Sequence, residues 1–177
     1  MNMPEIPKEW KTAGGGEEEL DYIFYDLTAS GTTASATLTF FDTSESASGK
    51  AVCNMEIAGQ LPSTQRFLIK KIEVLIDVNA AAGDSADVLD AAILEMYVQN
   101  KRLWGAPAIY HAPPVHTSIT RTAELGGAVR IESFEFDKYV ALNGGVPFRV
   151  EMLIGKTAVS ASTDITILLR GRLVRPA

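Results

Sequence analysis

Hydrophobic and polar residues alternate most clearly over Arg66–Val78, where the sequence is RFLIKKIEVLIDV. Taking every second position gives one nearly continuous apolar face, interrupted only by Lys70 and formed by Leu68, Ile72, Val74, Ile76 and Val78. The opposite face mixes apolar and charged side chains. A period of two predicts a β-strand with one side on a core. At about 3.3 Å per residue the strand would span roughly 40 Å, so partner strands of similar length are expected.

Further segments show the same alternation or are rich in β-branched and aromatic residues, which favour strands. These predicted strands are Leu20–Leu27, Ala36–Phe41, Ala51–Ala58, Ala91–Gln99, Arg102–Trp104, Val129–Phe136, Pro147–Ile154 and Asp164–Val174. The apolar positions change phase within Val129–Phe136, which predicts a bulge or kink. Residues 97–104, YVQNKRLW, predict a tight hairpin that turns at Asn100–Lys101, and Asp137–Leu142 is predicted to form a short helical turn.

Eight or nine strands without a long helix predict an all-β protein. Long strands with loops at both ends favour a single jelly-roll barrel or sandwich of about eight antiparallel strands over an immunoglobulin-type sandwich. Prolines, three consecutive glycines and three glutamates predict a flexible N-terminal arm over Met1–Glu19, followed by one jelly-roll domain over residues 20–177. The Pro-rich segment Gly105–Thr122 is predicted to be a long loop.

The composition narrows the class of protein further. The chain has 177 residues, 46% of them hydrophobic, which suffices for one cored domain. The formal net charge of -6 and the absence of a dense basic stripe argue against direct binding of nucleic acid. The single cysteine, Cys53, is predicted to be a small buried core residue. Without a recognisable leader or apolar membrane span, synthesis and folding in a cytoplasm are expected.

Candidate catalytic and metal-binding residues are sparse. The two histidines, His111 and His116, both lie in the Pro-rich loop, and their spacing does not match the ligand pattern of cupin enzymes. The acidic series Asp84, Asp87 and Asp90 lacks the glycine and the spacing of an EF-hand. Nucleophile-elbow, zinc-protease and phosphate-loop motifs are absent from the sequence. The sequence therefore predicts a non-enzymatic protein without cofactor or metal.

Four aromatic residues, Tyr22, Phe24, Tyr25 and Tyr97, could form a sugar-binding platform. Aromatic residues in β-strands, however, more often pack in a core or an interface. A carbohydrate- or receptor-binding β-sandwich, such as a spike or fibre domain, is therefore the alternative function, and a cupin-like enzyme is a third.

The strand series, the hairpin QNKRLWGAP at Gln99–Pro107 and the ending ILLRGRLVRP at Ile167–Pro176 support a resemblance. From about Leu20 to its end, the chain resembles the small major capsid protein of tailless icosahedral phages with an internal membrane. These sphaerolipovirus-like viruses build their shell from vertical single β-barrels. The resemblance implies a jelly-roll fold, self-association into dimers or larger capsomers, pairing with a second major capsid protein, and location in the virion above an internal lipid membrane.

A shell subunit would be expected to use exposed aromatic and arginine side chains as interface anchors. The candidates are Trp10, Trp104, Tyr110, Arg170, Arg172 and Arg175. Two alternatives stay open at this point. Trp104 could cover the end of the barrel within one subunit, and the three arginines could form a solvated strand face.

Overall fold

The computed structural model describes residues 16–76, 92–107, 129–155, 158 and 162–176. Its strands are β1 (Glu17–Ala29), β2 (Thr37–Phe40), β3 (Arg66–Ile76), β4 (Ile93–Val98), β5 (Lys101–Pro107), β6 (Val129–Asn143), β7 (Phe148–Leu153) and β8 (Asp164–Pro176). One short helix, α1 (Glu45–Ser48), follows β2. Among these described residues, no helix is long and apolar enough to cross a membrane.

The strands form two four-stranded antiparallel sheets. Sheet A has the order β1-β8-β3-β6 and sheet B the order β2-β7-β4-β5. Except for the β4–β5 hairpin, each strand is followed by one in the opposite sheet. This order is that of an eight-stranded jelly roll, which confirms the fold class predicted from the sequence.

The core lies between the two sheets and is formed by inward-facing side chains of both. In sheet B, β4 contributes Leu94 and Met96, and β7 contributes Phe148, Val150 and Met152, at alternate positions. In sheet A, β8 contributes the series Ile165, Ile167, Leu169 and Leu173. Val98 of β4 continues the inward series and packs against the core. The residues between these inward positions point outward, so the alternation in the sequence assigns the faces correctly.

The predicted faces of β3 are wrong in its first half. The pairing of β3 with both neighbours shifts between Ile69 and Lys71, so Lys70 is a bulge residue. The bulge reverses the phase of the alternation. Phe67 and Ile69 therefore share the core with the residues from Ile72 onward, whereas Leu68 lies outside the core cluster.

Gly171 of β8 makes this bulge possible. A Cβ atom at Gly171 would overlap the backbone carbonyl oxygen of Leu68. The two strands therefore approach so closely beside the bulge that only a residue without a side chain fits, which is a recognised use of glycine within a strand.

Strand β6 is irregular where the sequence predicts a bulge. Val74 pairs with Glu132 and Leu75 with Arg130, which leaves Ile131 as an extra residue and confirms that prediction. The helical turn predicted over Asp137–Leu142 is wrong, because β6 continues to Asn143. Strand β6 has a second irregularity opposite Lys70 of β3. It interrupts the alternation of apolar and polar residues in this part of β6, which explains why Asp137–Leu142 was predicted to be a helical turn.

One predicted strand and the position of one predicted turn also differ from the structure. Ala51–Ala58 is not a strand; Cys53 and Ile57 form only isolated bridges. The hairpin between β4 and β5 is confirmed, but its turn residues are Gln99 and Asn100, both at positive φ. This pair of left-handed residues matches the tight turns whose twist suits a hairpin. The predictions for residues 1–15, 77–91 and 108–128 lie outside the described residues.

Candidate interaction surfaces

The three arginines of β8 do not share one face. Arg170 and Arg172 point away from the core, since they alternate with Leu169 and Leu173. Arg175 lies on the opposite face of β8 from Arg170 and Arg172, beyond the last core residue of the strand. Arg172 pairs with Glu19 of β1, and Arg175 Nε lies 2.9 Å from Glu18 Oε2. Strand β1 begins at Glu17, three residues before the predicted start, where backbone pairing with Pro176 extends the strand and carries these ion pairs.

Arg170 pairs with a buried carboxylate. Glu73 of β3 is completely buried, although it alternates with the core residues Ile72 and Val74. The Arg170 guanidinium contacts one carboxylate oxygen, and Lys71 Nζ lies 2.9 Å from the other. A buried charge needs such partners, because the loss of either one leaves the charge less compensated in a poorly solvated site. Arg170 therefore stabilises the subunit, and this role limits how far it can serve as an interface anchor.

A groove of about 410 Å³ crosses the outer face of sheet A. Its lining includes Lys70, Lys71, Arg170 and Arg172 together with Asp21, Glu135 and Tyr139. Lys70 Nζ donates a hydrogen bond of 2.6 Å to the Phe136 carbonyl oxygen and lies 3.4 Å from Glu135. Lys70 Nζ also lies 5.8 Å from the centre of the Tyr139 ring. The charges of this groove are thus largely balanced by neighbours within the same chain.

The outer face of sheet B carries three parallel rows of side chains, which we call the Tyr97 face. Strand pairing aligns Arg149, Tyr97 and Arg102 in the first row. It aligns Glu151 with Glu95 in the second row and Leu153 with Ile93 in the third. A cationic and aromatic row therefore lies beside an anionic row, which is followed by an apolar row.

Hydrogen bonds hold the first two rows of the Tyr97 face together. Arg149 Nε lies 2.5 Å from Glu151 Oε1, and its guanidinium carbon lies 4.4 Å from the centre of the Tyr97 ring. Glu95 accepts hydrogen bonds from the Tyr97 hydroxyl at 2.6 Å and from Arg102 at 2.7 Å. These two donors lower the pKa of Glu95, the tyrosine contributing most. The side chains are thereby fixed on a rigid sheet.

A buried acid lies at one end of the sandwich. Asp26 of β1 accepts a hydrogen bond from the backbone N–H of Phe41, which has a φ of 67°. Burial raises the pKa of Asp26 to about 6, against the opposing effect of the Phe41 N–H group. Cys53 is also fully buried, as predicted for a core residue, and burial raises the pKa of its thiol. The cluster supports the chain reversal after β2 and is closed to solvent.

The predicted aromatic platform does not form. Phe24 is buried against Phe67, and Tyr22 packs beside Phe24 at a ring distance of 4.9 Å. Tyr25 lies on β1 of sheet A, whereas Tyr97 lies on β4 of sheet B. One ring face of Tyr97 is already occupied by Arg149. The four aromatic residues therefore do not offer a shared surface to a sugar.

The other predicted site residues are only partly located. Trp104 lies in β5, paired with Met96 of β4, while Trp10 and Tyr110 lie outside the described residues, as do His111 and His116. Within the described part of the chain, no group of three or more histidine, cysteine, aspartate or glutamate residues could hold a metal ion.

Reasoning from the sequence missed the Tyr97 face. The local signal was present, since Glu95 and Tyr97 alternate with core residues in β4, as Arg149 and Glu151 do in β7. Only the sheet order shows that these two strands are neighbours, with their charged positions in register.

Comparison with known proteins gives little beyond this description. No protein-family model matches the chain, and no curated protein matches it. Among solved structures, one similar chain belongs to the capsid asymmetric unit of cyanophage Pam1. The two chains are 16% identical, the match covers 99% of this chain and 100% of the other, and the TM-score is 0.39.

Proposed function

We propose that this chain is a structural virion protein: a major capsid subunit that builds an icosahedral shell by self-association and by pairing with a second capsid protein. The observation that supports this most is where the jelly roll places its polar groups. Both outward sheet faces carry charged side chains held in cross-strand ion pairs, on strands whose inner sides form an apolar core. Such a subunit can contact neighbouring subunits through rigid faces whose side chains are already ordered.

The fold is suited to this role for a mechanical reason. Two hydrogen-bonded sheets packed on one core resist shear, and their close packing leaves few ways to deform. The jelly-roll fold is also the one implied by the resemblance to small single-barrel capsid proteins. A jelly roll hosts several functions, however, so the outward surfaces must support the assignment.

We further propose three details of the assembly. The residues before β1 form an arm that orders on a neighbouring subunit, with Trp10 as its anchor. Trp104 and Tyr110 add aromatic contacts between subunits, in addition to those of the arginines of β8. The assembled shell stands above an internal lipid membrane in the virion after synthesis in the host cytoplasm, and the subunit performs no catalysis.

Electron microscopy and sedimentation analysis of the purified full chain test the proposal. We expect dimers or larger oligomers at high concentration, and closed particles when the second capsid protein of the same virus is co-expressed. A chain that sediments as a strict monomer and never enters particles would contradict a capsid role.

The arm can be tested separately. Deleting residues 1–16 leaves β1 intact, because that strand begins at Glu17. We expect assembly to weaken while the thermal unfolding midpoint changes little. An equal loss of assembly and of folding stability would show instead that these residues belong to the folded body.

A further inference from the structure

The rows of the Tyr97 face have a symmetry property that bears on self-association. Arg149 and Glu151 lie on β7 two residues apart, so their rows are separated by about 7 Å along the strand. The neighbouring strand β4 repeats the sequence of rows with Tyr97 and Glu95. A two-fold axis parallel to the rows, in the plane of an interface and between the first and second row, would exchange the cationic row with the anionic row.

We infer that two copies of this chain associate through their Tyr97 faces around such a two-fold axis. In this arrangement, Arg149 faces Glu151 of the second copy, and Tyr97 faces its Glu95. The face is therefore complementary to itself, as an isologous dimer interface must be. The inference deepens the proposed shell-subunit function and rests on it for its biological meaning.

Exposed apolar residues favour the same surface. In the described part of the chain, three large hydrophobic side chains are exposed: Ile57, Ile93 and Leu103. Two of these lie on the β4–β5 hairpin, with Ile93 38% and Leu103 51% exposed. Ile93 is paired with Leu153 of the neighbouring strand β7 in the apolar row, which the proposed axis places at the edge of the contact. Tyrosine and arginine at the centre, with apolar neighbours, match the composition of protein interfaces.

The size of the face predicts a weak contact. Four strands about 4.8 Å apart and six residues of about 3.3 Å give a face of about 20 Å by 20 Å, or about 400 Å² per copy. A stable complex usually buries about 800 Å² per partner. The pair should therefore be concentration-dependent in solution, and other contacts of an assembly would strengthen it through multivalency.

Two charge reversals provide the central experiment. Arg149→Glu makes residues 149 and 151 both acidic, and Glu151→Arg makes both basic. Each variant alone should then place like charges opposite each other, raising the dimer dissociation constant roughly tenfold or more in sedimentation equilibrium. An equimolar mixture of the two variants should dimerise again, because each acidic pair meets a basic pair. Both variants keep a negative net charge, so overall attraction would not explain this rescue.

A matched control uses the ion pair between exposed Lys50 and half-buried Glu45, whose charged atoms lie 3.3 Å apart. Lys50→Glu and Glu45→Lys change the net charge identically but lie outside the Tyr97 face, so both should associate like the wild type. Thermal unfolding checks the fold of every variant. If a single reversal does not fold, the double variant Arg149→Glu/Glu151→Arg keeps the pair within β7 and should still dimerise.

The outcomes separate this inference from the capsid proposal. Wild-type association that Arg149→Glu leaves unchanged, or a mixture that fails to recover it, would overturn the inference while leaving a capsid role intact. Loss of association in Arg175→Glu, but not in Arg149→Glu, would place the contact on sheet A and also overturn it. An Arg149-dependent dimer that never forms particles would support the inference and contradict the capsid proposal.

Discussion

Replacing Asp26 by asparagine should make the free energy of unfolding depend less on pH. Asp26 is 1% exposed and its pKa in the folded protein is about 6, compared with the ordinary value of 3.8. The folded state therefore binds the Asp26 proton more tightly than the unfolded state does. For a carboxyl with a raised pKa, the contribution to stability is fully present below about pH 4 and is lost as the pH rises to about 6.

The size of this effect follows from the pKa difference. A difference of about 2 units corresponds to about 3 kcal/mol, at about 1.36 kcal/mol per unit. Asparagine has nearly the same shape, keeps an oxygen that can accept the Phe41 N–H, and does not ionise. The stability of Asp26→Asn relative to wild type should therefore improve by about 2–3 kcal/mol between about pH 4 and pH 7.5.

Urea unfolding at a series of pH values, followed by tryptophan fluorescence, measures this difference directly. Asp164→Asn is the matched control, since Asp164 is an exposed carboxylate at the start of β8. Its stability relative to wild type should vary little over the same range. If Asp26→Asn parallels wild type at every pH, then Asp26 is not a buried, proton-retaining carboxyl and the reasoning is refuted.

Three further substitutions test the fold. Gly171→Ala should prevent folding or lower the unfolding free energy by several kcal/mol, because its Cβ would overlap the Leu68 carbonyl; circular dichroism would detect this. Arg170→Ala should cost about 1–3 kcal/mol in chemical denaturation, because buried Glu73 loses one cation and keeps Lys71; an unchanged unfolding free energy would contradict that account. Asn54→Ala should cost about 1–3 kcal/mol, because its side chain satisfies backbone groups at the edge of β1; an unchanged midpoint of urea unfolding would argue against this role.

Asn54 illustrates why the segment after α1 was misassigned. Its side-chain oxygen accepts from the Tyr25 N–H at 2.8 Å, and its side-chain nitrogen donates to the Ile23 carbonyl at 2.8 Å. The amide thus takes the place of a neighbouring strand at the edge of sheet A. The alternation in AVCNMEI reflects packing against β1 and the core, and alternation by itself does not distinguish such a segment from a ladder strand.

The sequence by itself determined the all-β class and the positions of most strands, since alternation of apolar and polar residues is a local property that survives without knowledge of partners. The inward faces of β4, β7 and β8 followed directly from it. The tertiary structure alone decided the bulge at Lys70, because a bulge depends on the neighbouring strand and on the close approach at Gly171.

The same distinction applies to the candidate surfaces. The sequence identified the arginines of β8 as charged and outward-facing, which holds for Arg170 and Arg172. It could not find Glu73 as the buried partner of Arg170, nor the alignment of Arg149 with Tyr97, since these residues are far apart in the chain. Pairing between distant strands depends on sheet order and register, and these are settled by the packing of the whole core.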